Sequence, residues 1–502
     1  MSNLVTLKLL PAGRRLEVPL GTPLRDVLFE HGVEFPCGGR GRCKGCRIRV
    51  LEGALPIHDE ERERLSQSEL TEGWRLACLG SAEANMTLEL AQWEAAILTD
   101  ESRFEFTPGI GCGVAIDLGT TTIVAQLVNL ATGDVLAVAT GLNAQARHGA
   151  DIMSRVEFAV SQRGQKALES DVRTQLKEML GELMAGQEMA RELAKVVIVG
   201  NTVMHHLFCG IDVEPLSQYP FEPLTPGLQK FSCKELGWKV PGDPEVLFLP
   251  CAGGFVGSDI LAGIAATGLH ESESLMALMD LGTNGEIVVG TRDRMLCAST
   301  AAGPAFEGAR ISMGMRASTG AISEVWMENG RVRCHVIGGG PARGICGSGL
   351  VDAVAMGLDA GTVRSNGRIA SGDGLALDGS VSLTQWDIRE LQMAKGAIAA
   401  GLRVLVKEYG ARMEDLDLIC LAGAFGNYIN LGSGRRIGLL NLPLEKIRPS
   451  GNTALLGAKL ALFGNEPAFC KGLLQRIRHV SLNEFEGFQD LYAEEMLFPQ
   501  QW

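Results

Sequence analysis

Residues 112–125 read Cys112-Gly-Val-Ala-Ile-Asp117-Leu-Gly119-Thr120-Thr121-Thr122-Ile-Val-Ala. A small and apolar run meets an aspartate, a glycine and three hydroxyls, and an apolar run resumes at once. That pattern predicts a buried strand, a tight turn and a return strand. Gly119 lets the backbone turn and come close to a ligand. The hydroxyls of Thr120, Thr121 and Thr122 and the turn amides are donors for phosphate oxygens, and Asp117 at the strand end can hold Mg²⁺ through water. Taken alone, Asp-x-Gly-Thr marks an ordinary hairpin as readily as a ligand loop. It gains weight from Leu275-Met-Ala-Leu-Met-Asp280-Leu-Gly282-Thr283-Asn284-Gly285-Glu286-Ile-Val-Val, which repeats the same order of strand, acid, glycine, threonine and strand. A nucleotide clamp made of two duplicated halves needs two such hairpins.

The residues around each hairpin extend the pattern. In the first half a third strand starts at Asp134, a helix at Asp151, and a longer helix is expected over Ala167–Leu193. The buried run Lys195-Val-Val-Ile-Val199 leads into Gly200-Asn201-Thr202, and the strand Glu245–Leu249 leads through Gly253 to Asp259 into a small-residue helix, Ile260–Gly268. His205 and His206 sit side by side on a helix, where adjacent residues point apart, so packing is expected rather than a shared metal. In the second half Gly347, Ser348 and Gly349 open the helix Leu350–Leu358, a position that favours anions. Helix 388–409 precedes the strand Leu416–Leu421. Gly423, Ala424, Phe425 and Gly426 follow that strand and offer a flat surface for an adenine, and Ala454–Leu462 is a second small-residue helix. Asp259 and Glu286 are candidates to orient water.

Composition bounds the rest. The 502 residues suffice for more than one domain with a core of its own. A formal charge of −13 argues against nucleic acid and against an anionic membrane surface. No basic-apolar leader opens the sequence and no run of about 18 apolar residues could span a bilayer, so a cytoplasmic protein is expected. Thirteen cysteines there point to metal ligands or buried thiols before disulfides.

Val5, Leu7 and Leu9 alternate with polar residues as a half-buried strand does, and Leu16–Leu20 reads as a second strand. Thr22-Pro23-Leu24 reads as an N-cap, a proline at the first helical position and a helix that Gly32 ends. Pro36-Cys37-Gly-Gly-Arg40-Gly-Arg42-Cys43-Lys44-Gly-Cys46 follows at once, and a fourth cysteine stands in Trp74-Arg-Leu-Ala-Cys78. Three thiolates on one glycine-rich loop with the fourth apart suit an iron–sulfur cluster, because each sulfur must reach an iron while loop amides turn to the sulfides. Structural zinc usually takes two close pairs instead. Arg40, Arg42, Lys44, Arg47 and Arg49 crowd this loop and could steer a redox partner. Asp59, Glu60, Glu61 and Glu63 read as the solvated face of a helix. Periodicity lapses from Ala91 to Gly113, which marks a linker.

Residues 1–92 resemble the [2Fe–2S] ferredoxins of the β-grasp fold, with five residues between the first two cysteines where the plant type has four. The two hairpins, the glycine-rich strand end and the two small-residue helices resemble the acetate and sugar kinase, Hsp70 and actin superfamily. Joined, they resemble the reductive activators of corrinoid-dependent enzymes, to which Gly200-Asn-Thr-Val-Met-His-His, Gly344-Ile-Cys-Gly-Ser-Gly-Leu and Leu421-Ala-Gly-Ala-Phe-Gly are similar. The expected fold class is therefore α/β plus α+β. A β-grasp ferredoxin domain (1–92) and a linker (93–112) precede a duplicated two-lobed actin/Hsp70-like ATPase (113–268 and 269–465), with a C-terminal tail (466–502) packed on it.

The resemblance implies a [2Fe–2S] cluster on Cys37, Cys43, Cys46 and Cys78, together with ATP and Mg²⁺. It implies an ATP-dependent electron transfer that returns a Co(II) corrinoid protein of a methyltransferase system to Co(I), with an upstream low-potential electron donor. A homodimer stays open. Two other readings stand beside it. One is an activator of 2-hydroxyacyl-CoA dehydratases, whose [4Fe–4S] cluster lies between subunits. Cys346 sits in a similar context, but the next cysteine is Cys420 on an expected buried strand. The other is a small-molecule kinase with a regulatory cluster. Anaerobically purified protein should carry about two irons and two sulfides per chain; one zinc and no sulfide would end the electron-transfer reading.

Overall fold

Alternating apolar side chains build the first sheet. In the computed structural model, which describes residues 4–10, 14–31, 33, 41, 46–90, 104, 106–186, 193–282, 284–370, 372, 374–464 and 466–500, Val5, Leu7 and Leu9 of β1 (Leu4–Leu10) all face the core. Strand β1 pairs antiparallel with β2 (Arg14–Pro19) and parallel with β5 (Met86–Leu90), while β3 (Arg47–Glu52) and β4 (Trp74–Leu76) complete the order β2-β1-β5-β3-β4. The helix Leu24–Leu28 buries Leu24 and Leu28 against this sheet.

Two local expectations change here. Pro23, not Thr22, occupies the N-cap position. Gly21, at φ +84°, turns the chain so that the Thr22 hydroxyl donates back to the Pro19 carbonyl at 2.7 Å. On the helix Asp59–Arg64, Asp59, Glu60 and Glu63 are solvated as expected, but Glu61 is only 1% exposed. Its carboxylate accepts from the backbone N–H of His58 at 2.9 Å and of Leu76 at 2.6 Å, binding the helix to β4. A buried carboxylate is tolerated when backbone donors satisfy it.

Two further sheets share one strand plan. In the second sheet β6 (Cys112–Leu118), β7 (Thr122–Asn129) and β8 (Val135–Leu142) form an antiparallel meander. Strand β9 (Leu193–Val199) runs parallel beside β6, and β10 (Gln229–Ser232) and β11 (Glu245–Phe248) finish the order β10-β11-β9-β6-β7-β8. In the third sheet β12 (Met276–Leu281), β13 (Gly285–Gly290) and β14 (Met295–Thr300) form the meander. A small sheet of β15 (Ala321–Glu328), β16 (Arg331–Val336) and β17 (Gly344–Ile345) and a hairpin of β18 (Leu375–Asp378) and β19 (Val381–Leu383) come next in the chain. Strands β20 (Leu418–Ala422), β21 (Ile447–Pro449) and β22 (Ile477–His479) then complete the third sheet in the order β21-β20-β12-β13-β14-β22, with β20 parallel beside β12.

The helices correct several boundaries. Asp151 caps Ile152–Ser161 as expected, accepting from Ser154 N–H at 2.8 Å. The long helix runs Gln165–Met184 and stops well short of Leu193, which opens β9; Gly186, at φ +75°, turns the chain away. The helix expected from Leu350 runs Gly347–Asp359, so Gly347, Ser348 and Gly349 form its first turn rather than a loop before it. The helix expected at 388–409 spans Gln385–Tyr409.

The helices Ser258–Thr267 and Thr453–Phe463 cross where side chains vanish. A Cβ on Gly457 would stand 2.2 Å from the Ala262 carbonyl oxygen, and one on Gly263 would stand 2.8 Å from Leu278. Each helix covers the other half's sheet. Leu455, Ala458 and Leu462 pack with Ala115, Val124 and Val197, while Ile260, Leu261 and Ile264 pack with Met276, Leu278 and Val288.

Part of the stretch read as linker is packed too: the Phe104 and Phe106 rings lie 5.4 and 4.5 Å from that of Phe463, and Gly109 N–H donates to the Leu130 carbonyl at 2.7 Å. At the far end Phe498 is buried and the Met496 and Leu497 carbonyls accept from Gln392 and Lys395 of the long second-half helix. Among the described residues no helix is long and apolar enough to cross a membrane.

Gly457→Ala should lower the denaturant midpoint, costing about 1–3 kcal/mol of stability by overpacking. Gly181→Ala, in an exposed helix position where a methyl group meets only open space, should instead gain about 0.5–1 kcal/mol. Equal shifts in both variants would refute the close-crossing account.

Candidate functional site

The β6–β7 and β12–β13 turns face one another across a cleft of about 260 Å³. The first turn is tight: a Cβ on Gly119 would stand 2.5 Å from the Thr122 carbonyl oxygen. It is also fastened from behind. Asn143 donates from its side chain to the Gly119 carbonyl at 2.8 Å and from its backbone to the Thr121 carbonyl at 2.9 Å. Asn201 donates to the Thr120 hydroxyl at 2.8 Å. The wholly buried Arg155 donates to the carbonyls of Thr120 and Gly149 and to the side-chain oxygen of Gln145. Burial pulls the Arg155 guanidinium down to about 9, with the Asp151 charge partly opposing.

On the second side Gly423 sits at φ +80°, and a Cβ there would lie 2.6 Å from the Asp280 carboxylate and 2.9 Å from the Leu281 carbonyl. A glycine is required both for the left-handed backbone and for this approach. Asp280 therefore stands against the backbone of the neighbouring strand end. Phe425 stacks on Phe306 with ring centroids 4.3 Å apart, and both line the cleft. The Cys346 thiol donates to the Ile322 carbonyl at 3.4 Å and lies 3.3 Å from the Ser348 hydroxyl.

Asp117, Asp259, Asp280 and Glu286 converge between the turns, and Glu307 and Arg316 line the same cleft. The three aspartates are partly reachable through the cleft mouth, while Glu286 is buried. Asp117 accepts from the Asn452 amide at 3.0 Å, Asp259 from Ile260 N–H at 2.8 Å, and Glu286 from the Ser299 hydroxyl at 3.4 Å. Desolvation pushes the Asp117 carboxyl up to about 6 against the pull of Asn452. It pushes Asp280 to about 7, with the Asp117 charge adding. Asp259 and Glu286 rise as well, through burial first and then through the neighbouring carboxylates, Asp280 foremost for Asp259 and Asp259 foremost for Glu286. Such a group asks for a cation. Among the described residues no three His, Cys, Asp or Glu side chains are grouped to ligate a metal directly.

Most expected residues meet in this cleft: the acids together with Gly119, Thr120, Thr121, Thr122, Gly282, Asn284, Gly347, Ser348, Gly423 and Phe425 all line it. Gly349 and Gly426 do not line it. A Cβ on Gly349 would stand 2.2 Å from the Ile322 carbonyl oxygen, while one on Gly426 would make only ordinary contact with Leu421, at 3.4 Å. Thr283 and the Ala424 side chain lie outside the described residues. Sequence reasoning missed Asn143, Arg155, Asn201 and Asn452. The asparagines had a signal, since Asn201 and Asn452 are N-caps that accept from Met204 N–H and Leu455 N–H. In each, the amide left over after capping reaches a site residue. His205 and His206 are both buried as packing predicts, but they do meet, with Nδ1 atoms 3.3 Å apart.

Cys37 and Cys43 lie outside the described residues. Cys46 is buried at the foot of β3, and its carbonyl accepts from Ala77 N–H at 3.0 Å, which places the segment of Cys78 beside it. These two cysteines fit a shared cluster. Of the basic loop, Arg47 pairs with Glu69 at 3.1 Å, and Arg49 reaches the Glu72 carbonyl at 2.8 Å and Glu89 at 3.8 Å. Both are committed within the domain; Arg40, Arg42 and Lys44 lie outside the described residues. Cys346 and Cys420 are 3% and 0% exposed, so neither offers a ligand to a second subunit.

Comparison with known proteins accounts for both parts. A model of the 2Fe-2S iron–sulfur cluster binding domain matches residues 7–83, one of the RACo middle region matches 112–272, and one of the C-terminal domain of RACo, the ASKHA domain, matches 274–502. The chain is thus a protein that joins a [2Fe–2S] cluster-binding domain to an ASKHA ATPase-like domain. The corrinoid activation enzyme RamQ of Eubacterium limosum is 34% identical over 424 residues, covering 77% of this chain and 70% of the relative. The [Co(II) methylated amine-specific corrinoid protein] reductase of Methanosarcina barkeri is 29% identical over 421 residues, 77% of each. The solved structure of a reductive activator for corrinoid, iron-sulfur protein aligns over 99% of this chain and 98% of its own, with 27% identity and a TM-score of 0.69. The chain belongs to the RACo family.

A carboxyl whose pKa is higher in the folded than in the unfolded chain keeps its proton longer when folded. Its stabilising contribution is present below about pH 4 and is lost as pH climbs through the folded values, here about 6 for Asp117 and about 7 for Asp280. Without divalent cation, the melting temperature should fall between pH 5 and pH 8 more than in Asp280→Asn, and added Mg²⁺ should restore it at the upper end. A Mg²⁺ effect equal in wild type and variant would place the cation elsewhere.

Proposed function

We propose that the chain is an ATP-dependent reductive activator that passes one electron to the Co(II) corrinoid of a methyltransferase partner and restores Co(I). What carries this reading is the union of the two parts: a cluster-binding domain joined to a cleft of paired hairpins, in a chain that aligns from end to end with a corrinoid activator. The N-terminal sheet is read as a β-grasp and the second and third sheets as the two duplicated lobes of an actin-like clamp, with domain limits near those drawn from the sequence. Cys37, Cys43, Cys46 and Cys78 would hold the cluster, which supplies a one-electron donor when bound. An upstream low-potential reductant replenishes the electron.

In the cleft, the turn amides and hydroxyls at Gly119–Thr122 and Gly282–Asn284 bind phosphate oxygens. Through water, Asp117 and Asp280 would hold Mg²⁺, which would supply positive charge against the phosphates. Asp259 and Glu286 are the candidates to orient the attacking water, their carboxyls raised by burial and then by neighbouring carboxylates. The Phe306–Phe425 stack and the Gly423 backbone form the apolar wall for a base. Nucleotide closing the two lobes can favour one state of the corrinoid protein only through different affinity for its two states.

The test mixes reduced protein with a Co(II) corrinoid protein anaerobically and follows the Co(I) absorption band with and without ATP. Asp280→Ala should abolish ATP hydrolysis and ATP-dependent reduction while the cluster spectrum persists. Cys43→Ala should still bind ATP but support no reduction. Full ATP-dependent reduction by Cys43→Ala would take the cluster off the electron path and favour a kinase.

A further inference from the structure

The N-terminal domain touches both halves of the ATPase-like body, and in each half the contact lies directly behind the cleft. On the first half, Leu142 and Ala146 pack against the N-terminal core, and the Arg147 guanidinium lies over the Phe29 ring at 5.7 Å. The same turn carries Asn143 and Gln145. Asn143 holds the Gly119 and Thr121 carbonyls, and Gln145 accepts from Arg155, which holds Thr120. On the second half, Arg343 pairs with Glu89 at 2.7 Å and donates to the Leu90 carbonyl at 3.4 Å. Three residues further on, Cys346, Gly347 and Ser348 line the cleft. That strand segment is held rigidly: a Cβ on Gly344 would stand 2.4 Å from the Met313 carbonyl and one on Gly347 would stand 1.9 Å from the Phe306 carbonyl.

We infer that nucleotide binding and docking of the cluster-binding domain are positively coupled through these two contacts; this rests on reading the cleft as a nucleotide site. A domain fastened to both halves favours one spacing between them. In that same arrangement the two halves share one cleft, with Asn452 of the second reaching Asp117 of the first at 3.0 Å. A ligand that bridges the hairpins stabilises the spacing that the docked domain also needs. Each therefore strengthens the other, because coupling between two binding equilibria is reciprocal. The turn 142–147 and the segment 343–348 are positioning elements, since they touch the cluster-binding domain and the cleft walls at once.

The experiment is amide hydrogen exchange on the full chain with and without Mg-ATP, with calorimetry establishing nucleotide binding in the same samples. Mg-ATP should slow exchange at residues 24–29 and 86–90 by at least about fivefold. Arg343→Glu should remove that protection and lower ATP-dependent corrinoid reduction; the swap Glu89→Arg with Arg343→Glu should restore both. A destabilised fold alone would not be rescued by the swap. ATP that binds without protecting these segments overturns the coupling and leaves the nucleotide reading standing. A chain that binds no ATP overturns both. Protection that survives Arg343→Glu together with Arg147→Ala overturns the assignment to these contacts.

Discussion

Everything in the cleft depends on two helices that cross without side chains between them. Gly457 lies against the Ala262 backbone, and each helix lays its apolar face on the opposite sheet. The exchange ties the halves together through dispersion and burial, at a separation that only a glycine permits. The N-termini of both helices open on the cleft. Asp259 belongs to the first turn of one, and Asn452 caps the other and reaches across to Asp117. A shift of either helix is thus a shift of a charged or hydrogen-bonded group in the site.

That geometry sets up an electrostatic conflict which the fold sustains. Burial raises the pKa values of Asp117, Asp259, Asp280 and Glu286, and the neighbouring carboxylates raise those of Asp259, Asp280 and Glu286 further. Packing between sheets and helices must outweigh this cost of burying acids together. Behind the hairpin the opposite charge is supplied by Arg155, spent on backbone carbonyls rather than on the acids. The positive charge holds the loop's shape, and the negative charge is left for a ligand. Strain of this kind concentrates where function needs a preorganised site.

Much of this was legible in the sequence because hairpins, caps and cysteine spacing are local signals. Asp117 and Asp280 announced themselves by the shared Asp-Leu-Gly-Thr between apolar runs. What stayed hidden was set by tertiary contact. Glu61 resembles its exposed neighbours in sequence, yet it is buried because β4 presents the Leu76 N–H to it. Gly349 is read from the sequence as a ligand glycine, yet the close approach there is to the Ile322 carbonyl, which another strand brings in. His205 and His206 meet because neighbouring rings can bend toward each other when both are enclosed. Arg155 gave no sign, for a buried arginine cannot be told from a surface one until its carbonyl partners are in place.

The segment 496–499 is fastened to the body through its backbone carbonyls, and of its side chains Phe498 is buried. Its carbonyls at Met496, Leu497 and Pro499 accept from Gln392, Lys395 and Arg436, and the Phe498 ring lies under the Lys395 ammonium. Lys395 is enclosed so thoroughly that burial draws its pKa down to about 8. Trimming these four residues would strand an ammonium group in an apolar slot beside the long second-half helix. In practical terms, a truncation made there to aid crystallisation would damage the fold it was meant to tidy.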